Sequence, residues 1–365
     1  MKRFYLLLFA AVLGVLPAPG FASTLTFTIN AGSTVTAIPA QTYGSDQTLA
    51  GVINPLYRQG GNRMTAYNWE NNASNAGTDY GPNHEDWYDV PAGVTPPGMP
   101  ATTLTDFILG NNALGVDSLV TLQMAGYVST NGSCNCNVTV TGAADTAGTY
   151  WKAVVFNGGP TTGSPNTSDN VVYMNEEMAY LLSQVGGAGS GGAKFYDLDN
   201  EPALWNSTHP MVHPSQPSCA EVSGKGITLA QVITTADPNA QILGPVAYGW
   251  SEYVNNQSAS DSPTGLSPSY GVTYLCYYLQ QFNNASTTAG RRLLHYLDLH
   301  WYPEATGPET ISGSVTQIRI LNNDTTYGVD VARMQAPRSL WDPTYTESSW
   351  ITWGTGGPIT LIPRL

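Results

Sequence analysis

The stretch with the clearest potential for chemistry is FYDLDNEPALWNSTHP, residues 195–210. It begins like a buried strand and ends in Asp199, Asn200, Glu201 and Pro202. Aromatic walls can desolvate a carboxyl group at such a strand end, which favours its protonated form for proton donation near neutral pH. Asn200 could then hold a substrate hydroxyl. A loop or N-cap carboxylate bonded to backbone amides explains an isolated Asn-Glu-Pro equally well.

Aromatic side chains cluster near the predicted strand ends, and their flat faces could stack on a pyranose ring. The candidates are Trp69, Trp205, Tyr248, Trp250, Trp301 and Tyr302. Any one of them is more often part of the core or of a rim. His300 ends a predicted strand and could bond a substrate or Glu201, although a buried, satisfied histidine fits the sequence as well.

His209 and His213 have the four-residue spacing of a metal-binding pair on a helix. Pro210 and Pro214 interrupt the helix that this spacing requires, which argues against a catalytic metal. We therefore predict no metal and no cofactor. A metal-dependent hydrolase remains an alternative that chelators would test.

Regular alternation of strands and helices must position these residues. The predicted strands are 119–124, 194–199, 241–245 and 294–300, and the predicted helices are 175–185, 221–235 and 270–282. Such alternation with nearly continuous apolar strands indicates a parallel sheet, either an open doubly wound sheet or a (β/α) barrel. Polar residues collect after the carboxyl ends of several strands and no glycine-rich phosphate loop is present, so we favour the barrel.

The charge balance limits the partners of the chain. Lys and Arg number 13 against 26 Asp and Glu in 365 residues, a formal net charge of −13. Because phosphate binding needs a basic surface, we expect no nucleic-acid partner. Four cysteines make one or two disulfides plausible in an oxidising compartment, although their pairing cannot be inferred.

The N-terminus is typical of an export signal. Lys2 and Arg3 precede an apolar run, 4–16, and Gly20-Phe21-Ala22 forms a small-x-small cleavage site. We expect residues 1–22 to be a removed signal peptide and the protein to be secreted. The alternative, a membrane anchor, is disfavoured because the run is too short to cross a bilayer.

Four motifs together resemble the catalytic domain of glycoside hydrolase family 44, secreted bacterial enzymes that act on β-1,4-glucans and xyloglucan. They are DLDNEPALWNSTHP (197–210), GGNRMTAYNWENNAS (60–74), LHWYP (299–303) and QAPRSLWDPTY (335–345). The resemblance extends from Gln41 to Leu365. It implies a β-glucan polysaccharide as substrate. On the charge balance and the short apolar run, we expect no nucleic-acid and no membrane partner.

This resemblance implies an α/β fold, a (β/α)8 TIM-like barrel with an accompanying β-sandwich. Residues 41–365 would form the barrel, incomplete at its C-terminus, and 23–40 an N-terminal strand segment of the sandwich. It also implies retention of anomeric configuration with Glu201 as general acid/base. Trp69 and Tyr302 lie in family motifs and are the favoured substrate contacts; Asn200, His300 and Trp205 are further candidates.

The inward face of the central strand raises a separate expectation. By strand alternation, Asp197, Asp199 and Glu201 share one face. If this face is the barrel interior, Asp197 needs a partner or a proton. Arg58 and Arg63 could pair with such inward carboxylates, and plain structural ion pairs are the default interpretation.

The family's nucleophile, a glutamate in a motif like Ile-Thr-Glu-Tyr-Asn, is absent from the sequence. Four loop glutamates could replace it, but we expect them to be solvated: Glu252, Glu304, Glu309 and Glu347. We therefore expect the nucleophile beyond Leu365 and the chain alone to be inactive. The alternative is a catalytically inactive β-glucan-binding protein.

Overall fold

The largest sheet among the described residues is a parallel sheet of six strands. The computed structural model describes residues 37–46, 53–78, 85–87, 98–132, 139–140, 149–162, 165–263 and 272–365. The chain divides into two units, Met1–Pro39 and Ala40–Leu365, and every element named below belongs to the second.

The elements are numbered in chain order. The strands are β1 (Ser45–Asp46), β2 (Leu56–Gln59), β3 (Ala73–Asn75), β4 (Glu85–Trp87), β5 (Asp117–Leu122), β6 (Tyr127–Ser129), β7 (Trp151–Val155), β8 (Val171–Tyr173), β9 (Phe195–Leu198), β10 (Gln241–Ala247), β11 (Tyr296–Leu299), β12 (Thr306–Ile311) and β13 (Ser314–Arg319). The α-helices are α1 (Asn62–Thr65), α2 (Thr102–Leu114), α3 (Met174–Val185), α4 (Trp205–Thr208), α5 (Cys219–Ala236), α6 (Trp250–Asn255), α7 (Thr273–Ala289), α8 (Tyr327–Gln335), α9 (Trp350–Thr355) and α10 (Leu361–Arg364).

The main sheet has the order β1-β2-β5-β9-β10-β11, and all its neighbouring strands are parallel. Because parallel neighbours need a crossover, a helix lies between successive strands: α2 before β5, α3 before β9, α5 before β10 and α7 before β11. Strand β9 lies between β5 and β10 and is buried along its whole length. The parallel sheet predicted from the alternation is confirmed.

Short accessory sheets follow the carboxyl ends of the main strands. The β3–β4 pair comes after β2, the β6–β7–β8 sheet after β5, and the antiparallel β12–β13 hairpin after β11. Helix α8 packs against the hairpin, where Ala305, Ile320 and Ala336 form a small core of their own. These insertions therefore begin on the side of the sheet where parallel α/β proteins build their sites.

The predicted helices are confirmed, with shifted ends. Helix α3 starts one residue earlier than predicted and stops at Gly186, whose φ of 83° favours glycine. Helix α5 begins after Ser218, whose hydroxyl accepts a hydrogen bond from the Glu221 amide (3.0 Å). Helix α7 runs on to Ala289, beyond its predicted end.

Several sequence-based expectations lie outside the described residues. They concern the signal peptide, most of the sandwich segment 23–40, and two of the four cysteines, Cys134 and Cys136. Within the described ranges, Cys219 and Cys276 are free thiols. Across the same ranges, no helix has the length and apolar character needed to cross a membrane.

Candidate active site

Glu201 lies just beyond the carboxyl end of β9, in the middle of the main sheet. The backbone around it is strained, because Asp199, Glu201 and Val246 have positive φ values of 66°, 46° and 59°. The Glu201 amide donates to the Val246 carbonyl (3.0 Å), which ties the two strained segments together. Strained non-glycine residues of this kind concentrate at functional sites.

The end of β9 shows that Asp197, Asp199 and Glu201 do not share one face by strand alternation, although the sequence predicted that they would. Regular alternation stops at Leu198, and the left-handed Asp199 turns the chain away from the strand path. The Asp199 carboxylate accepts hydrogen bonds from the Thr65 hydroxyl (2.6 Å) and from the amides of Met124, Ala125 and Asn200 (2.6, 3.1 and 2.7 Å). Asp199 therefore fixes the loops around Glu201, a role that its spacing did not predict.

His300 follows β11 and is the direct partner of Glu201. Its Nδ1 lies 2.7 Å from Glu201 Oε1, and the two side chains are 19% and 12% exposed. Of the two partners expected for His300, the structure therefore shows the carboxylate. A charge-assisted hydrogen bond of this length fixes the orientation of the carboxyl group.

Tyr302 forms the open wall of the same site. Its ring meets the His300 ring edge to face, with centroids 6.3 Å apart, and the residue is 51% exposed. Burial and then the neighbouring Glu201 carboxylate raise the pKa of the Tyr302 hydroxyl. The ring thus has free surface for a sugar beside the candidate acid.

Asn200 lies at the site, but its side chain is already engaged. Its Nδ2 donates to Asn62 Oδ1 (3.0 Å) and its Oδ1 accepts from Arg58 (2.9 Å). A substrate contact would therefore use its second N–H group. The residue is only 4% exposed.

The predictions for Trp69 and Trp205 require correction. Both residues have a relative exposure of 0%, so neither ring face is open to a sugar. Trp69 packs on Tyr180 with ring centroids 5.7 Å apart. Trp205 contacts both the His213 ring, with centroids 5.3 Å apart, and the Lys225 ammonium group, 5.0 Å from its ring centroid. Both rings stabilise the core beside the site rather than forming its surface.

Charged side chains pair on the inner side of the sheet, as the inward Asp197 required. Arg58 Nε donates to Asp197 Oδ2 over 2.8 Å, and Asp197 is completely buried. Burial and then the Asp298 carboxyl raise the pKa of Asp197 to about 8, against the opposing effect of Arg58. Because Arg58 also holds Asn200, this ion pair links the sheet interior to the site.

The expectation of solvated glutamates is wrong for three of the four. Glu252 and Glu347 are buried, with exposures of 0% and 3%. Glu252 accepts a hydrogen bond from the Tyr248 amide (2.8 Å), Glu347 accepts one from the Ser339 hydroxyl, and Glu304 forms an ion pair with Arg319. None of these three is a free acid in a loop.

The two spaced histidines have separate partners. His209 Nε2 lies 3.0 Å from the Asn75 carbonyl, and His213 Nε2 lies 2.9 Å from Glu221. Over the described ranges, no cluster of three or more His, Cys, Asp or Glu could hold a metal ion.

A parallel α/β sheet that presents a carboxylate, an imidazole and an open aromatic ring at the carboxyl ends of its strands has the layout of a TIM-barrel-like enzyme. The chain belongs to glycoside hydrolase family 44, whose family model matches residues 73–305. It is 43% identical over 354 residues to endoglucanase A of Paenibacillus lautus, covering 94% of this chain and 48% of that protein. It is 39% identical over 360 residues to the beta-mannanase/endoglucanase A of Caldicellulosiruptor saccharolyticus, covering 94% and 26%.

Solved structures agree with this assignment. A Paenibacillus polymyxa xyloglucanase of the family superposes with a TM-score of 0.78 at 38% identity, over 89% of this chain and 63% of that one. A Clostridium endoglucanase of the family gives 0.76 at 42% identity, over 88% and 62%. The Paenibacillus polymyxa enzyme was also solved with xyloglucan, with a TM-score of 0.78, 37% identity and coverages of 90% and 63%. The fold is therefore α/β and TIM-like, and the chain spans about half the length of the Paenibacillus lautus protein.

Proposed function

We propose that the protein is a retaining, endo-acting glycoside hydrolase that cleaves β-1,4-glucans such as xyloglucan or carboxymethylcellulose. The observation that carries the proposal is the Glu201–His300 pair, 2.7 Å apart at the carboxyl ends of two sheet strands and bordered by the exposed Tyr302 ring. The endoglucanase and xyloglucanase relatives support the substrate class. Export from the cell, inferred from residues 1–22, is part of the proposal because a polysaccharide is an extracellular substrate.

Glu201 would act as general acid and then as general base. It would protonate the leaving oxygen of the glycosidic bond, and in the second step its carboxylate would take a proton from the attacking water. His300 holds Oε1 of Glu201 and so orients the group for both steps. Tyr302 would stack on the sugar ring next to the bond that breaks.

Retention requires a second carboxylate about 5–5.5 Å from the first, which attacks the anomeric carbon. Glu252, Glu304 and Glu347 are poor nucleophiles, because Glu252 and Glu347 are enclosed and Glu304 is held by Arg319. We therefore propose that the nucleophile follows Leu365 in the complete protein. The coverage of only 48% of the Paenibacillus lautus relative is consistent with this.

The test of this function uses the complete gene product and its Glu201→Gln variant, with reducing ends assayed on xyloglucan and carboxymethylcellulose. General acid–base catalysis contributes about 10²- to 10⁴-fold, and we expect a loss in this range. A parallel assay of residues 23–365 alone should show no hydrolysis. Turnover by Glu201→Gln close to that of the parent would refute the role of Glu201.

The same assays test the alternative, a β-glucan-binding protein without catalysis. If the complete gene product binds cello-oligosaccharides but releases no reducing ends, the binding function replaces the enzymatic one. If residues 23–365 hydrolyse either polymer as fast as the complete protein, the second carboxylate lies within residues 23–365.

A further inference from the structure

Helix α6 contributes two consecutive buried side chains to the loops that carry the Glu201–His300 pair. The helix begins shortly after the carboxyl end of β10, the strand between β9 and β11. Glu252 and Tyr253 both have a relative exposure of 0%. Neither residue has a role in the mechanism above, so their contacts need a separate explanation.

Tyr253 holds the backbone of His300. Its hydroxyl donates a hydrogen bond to the His300 carbonyl oxygen. On the other side of the same residue, the His300 amide donates to the Ala247 carbonyl (2.8 Å). His300 is therefore fixed at both of its backbone polar groups, and its imidazole is directed at Glu201 from this fixed position.

Glu252 likewise fixes the backbone of a neighbouring loop. Its Oε2 accepts the Tyr248 amide (2.8 Å), which fixes the chain directly after β10. The Glu201 amide donates to the Val246 carbonyl in β10 (3.0 Å), so the segment that Glu252 fixes directly follows the strand that holds the loop of the acid.

We infer that Tyr253 and Glu252 are positioning residues that hold Glu201 and His300 in the geometry required for proton donation to the leaving oxygen. The inference rests on the proposed glycosidase function. Neither residue touches substrate; both act through the backbone segments that carry the pair. The contribution of Tyr253 is the more direct one, because its hydroxyl bonds to His300 itself.

Activity on substrates with different leaving groups distinguishes a positioning role from a general structural role. A 2,4-dinitrophenolate group departs without protonation, whereas the alcohol of an unactivated glucan needs a general acid. A shift of the acid by about 1 Å can cost about 10²-fold in rate. In the complete gene product, we therefore expect Tyr253→Phe to lower kcat/KM about 10- to 100-fold on cello-oligosaccharides and less than about 3-fold on 2,4-dinitrophenyl β-cellobioside.

Tyr278→Phe is the matched control. Tyr278 is also completely buried, but its hydroxyl has no hydrogen-bond partner, so its removal should leave both substrates unaffected. Glu252→Gln is a second variant that keeps an acceptor for the Tyr248 amide and should behave close to the parent. Glu252→Ala removes the acceptor and should show the same selective loss as Tyr253→Phe.

The outcomes distinguish this inference from the proposed function. If Glu201→Gln loses far more activity on cello-oligosaccharides than on the dinitrophenyl substrate and Tyr253→Phe does not, only the positioning role is overturned. No such dependence in Glu201→Gln overturns the acid role of Glu201 and this inference with it. Equal losses on both substrates in Tyr253→Phe would show a structural role only.

A nuclear magnetic resonance measurement tests the positioning without activity. The sequence has five histidines, so the ring ¹⁵N signals of His300 can be assigned by comparison with His300→Asn. Tyr253→Phe should shift or broaden the Nδ1 signal, while Tyr278→Phe should leave it unchanged. An unchanged Nδ1 signal in Tyr253→Phe would contradict the inference even if the protein hydrolysed no glucan.

Discussion

Glu177→Gln should abolish a large pH dependence of stability that originates in one buried carboxyl group. Glu177 lies in α3 with a relative exposure of 0%, and its Oε2 accepts a hydrogen bond from Gln123 Nε2 (3.0 Å). Oε1 of Glu177 and Oε1 of Gln123 are both buried without a hydrogen bond. A proton on Glu177 would supply the donor that this pair lacks. Burial raises the pKa of Glu177 from 4.5 to about 8.

The sign of the effect follows from this raised pKa. Between pH 4.5 and about 8 the folded protein keeps a proton that the unfolded chain has released. The stabilising contribution of Glu177 is therefore complete below pH 4.5 and lost as the pH rises to about 8. At about 1.36 kcal/mol per pH unit, the loss reaches about 3 kcal/mol at pH 7 and about 5 kcal/mol above pH 8.

Denaturant unfolding of the parent and Glu177→Gln at several pH values measures this contribution. Gln stays neutral, so the stability of the variant relative to the parent should increase by about 3 kcal/mol from pH 4.5 to pH 7. Asp106→Asn, an exposed acid on α2, controls for the loss of one negative charge. A difference between parent and Glu177→Gln that stays constant over this pH range would refute the reasoning.

Two further predictions concern Trp69 and Tyr302. Both were predicted from the sequence as substrate contacts, but Trp69 is buried and Tyr302 is exposed. Trp69→Ala should lower the free energy of unfolding by about 3–5 kcal/mol, because it removes a fully buried ring. Denaturant unfolding measures this change. A loss below about 1 kcal/mol would contradict the core position of Trp69. Tyr302→Ala should leave the unfolding midpoint nearly unchanged, because the ring is 51% exposed, but weaken cello-oligosaccharide binding by about 1 kcal/mol or roughly fivefold. Calorimetric titration tests the second, and equal affinity in parent and variant would exclude stacking by Tyr302.

Local signals in the sequence were sufficient for the main helices and strands and for a candidate acid. Apolar periodicity predicted α3 and the strand that ends before Glu201, and Gly186 marked the end of the helix. The Asp-Asn-Glu-Pro run after an apolar strand made Glu201 a candidate, and the longer family motifs around it favoured the catalytic interpretation. These features depend only on residues a few positions apart, so they can be read from the chain.

Which residues contact Glu201 was decided only by the tertiary structure. Glu201 and His300 are 99 residues apart in sequence, and sheet order and register bring them to 2.7 Å. The same packing closes over Trp69 and leaves Tyr302 open, although both are aromatic residues of family motifs. Periodicity shows which face of an element is apolar, but exposure depends on what covers that face. The enclosure of Glu252 arises in this way, because α7 packs against the helix that carries it.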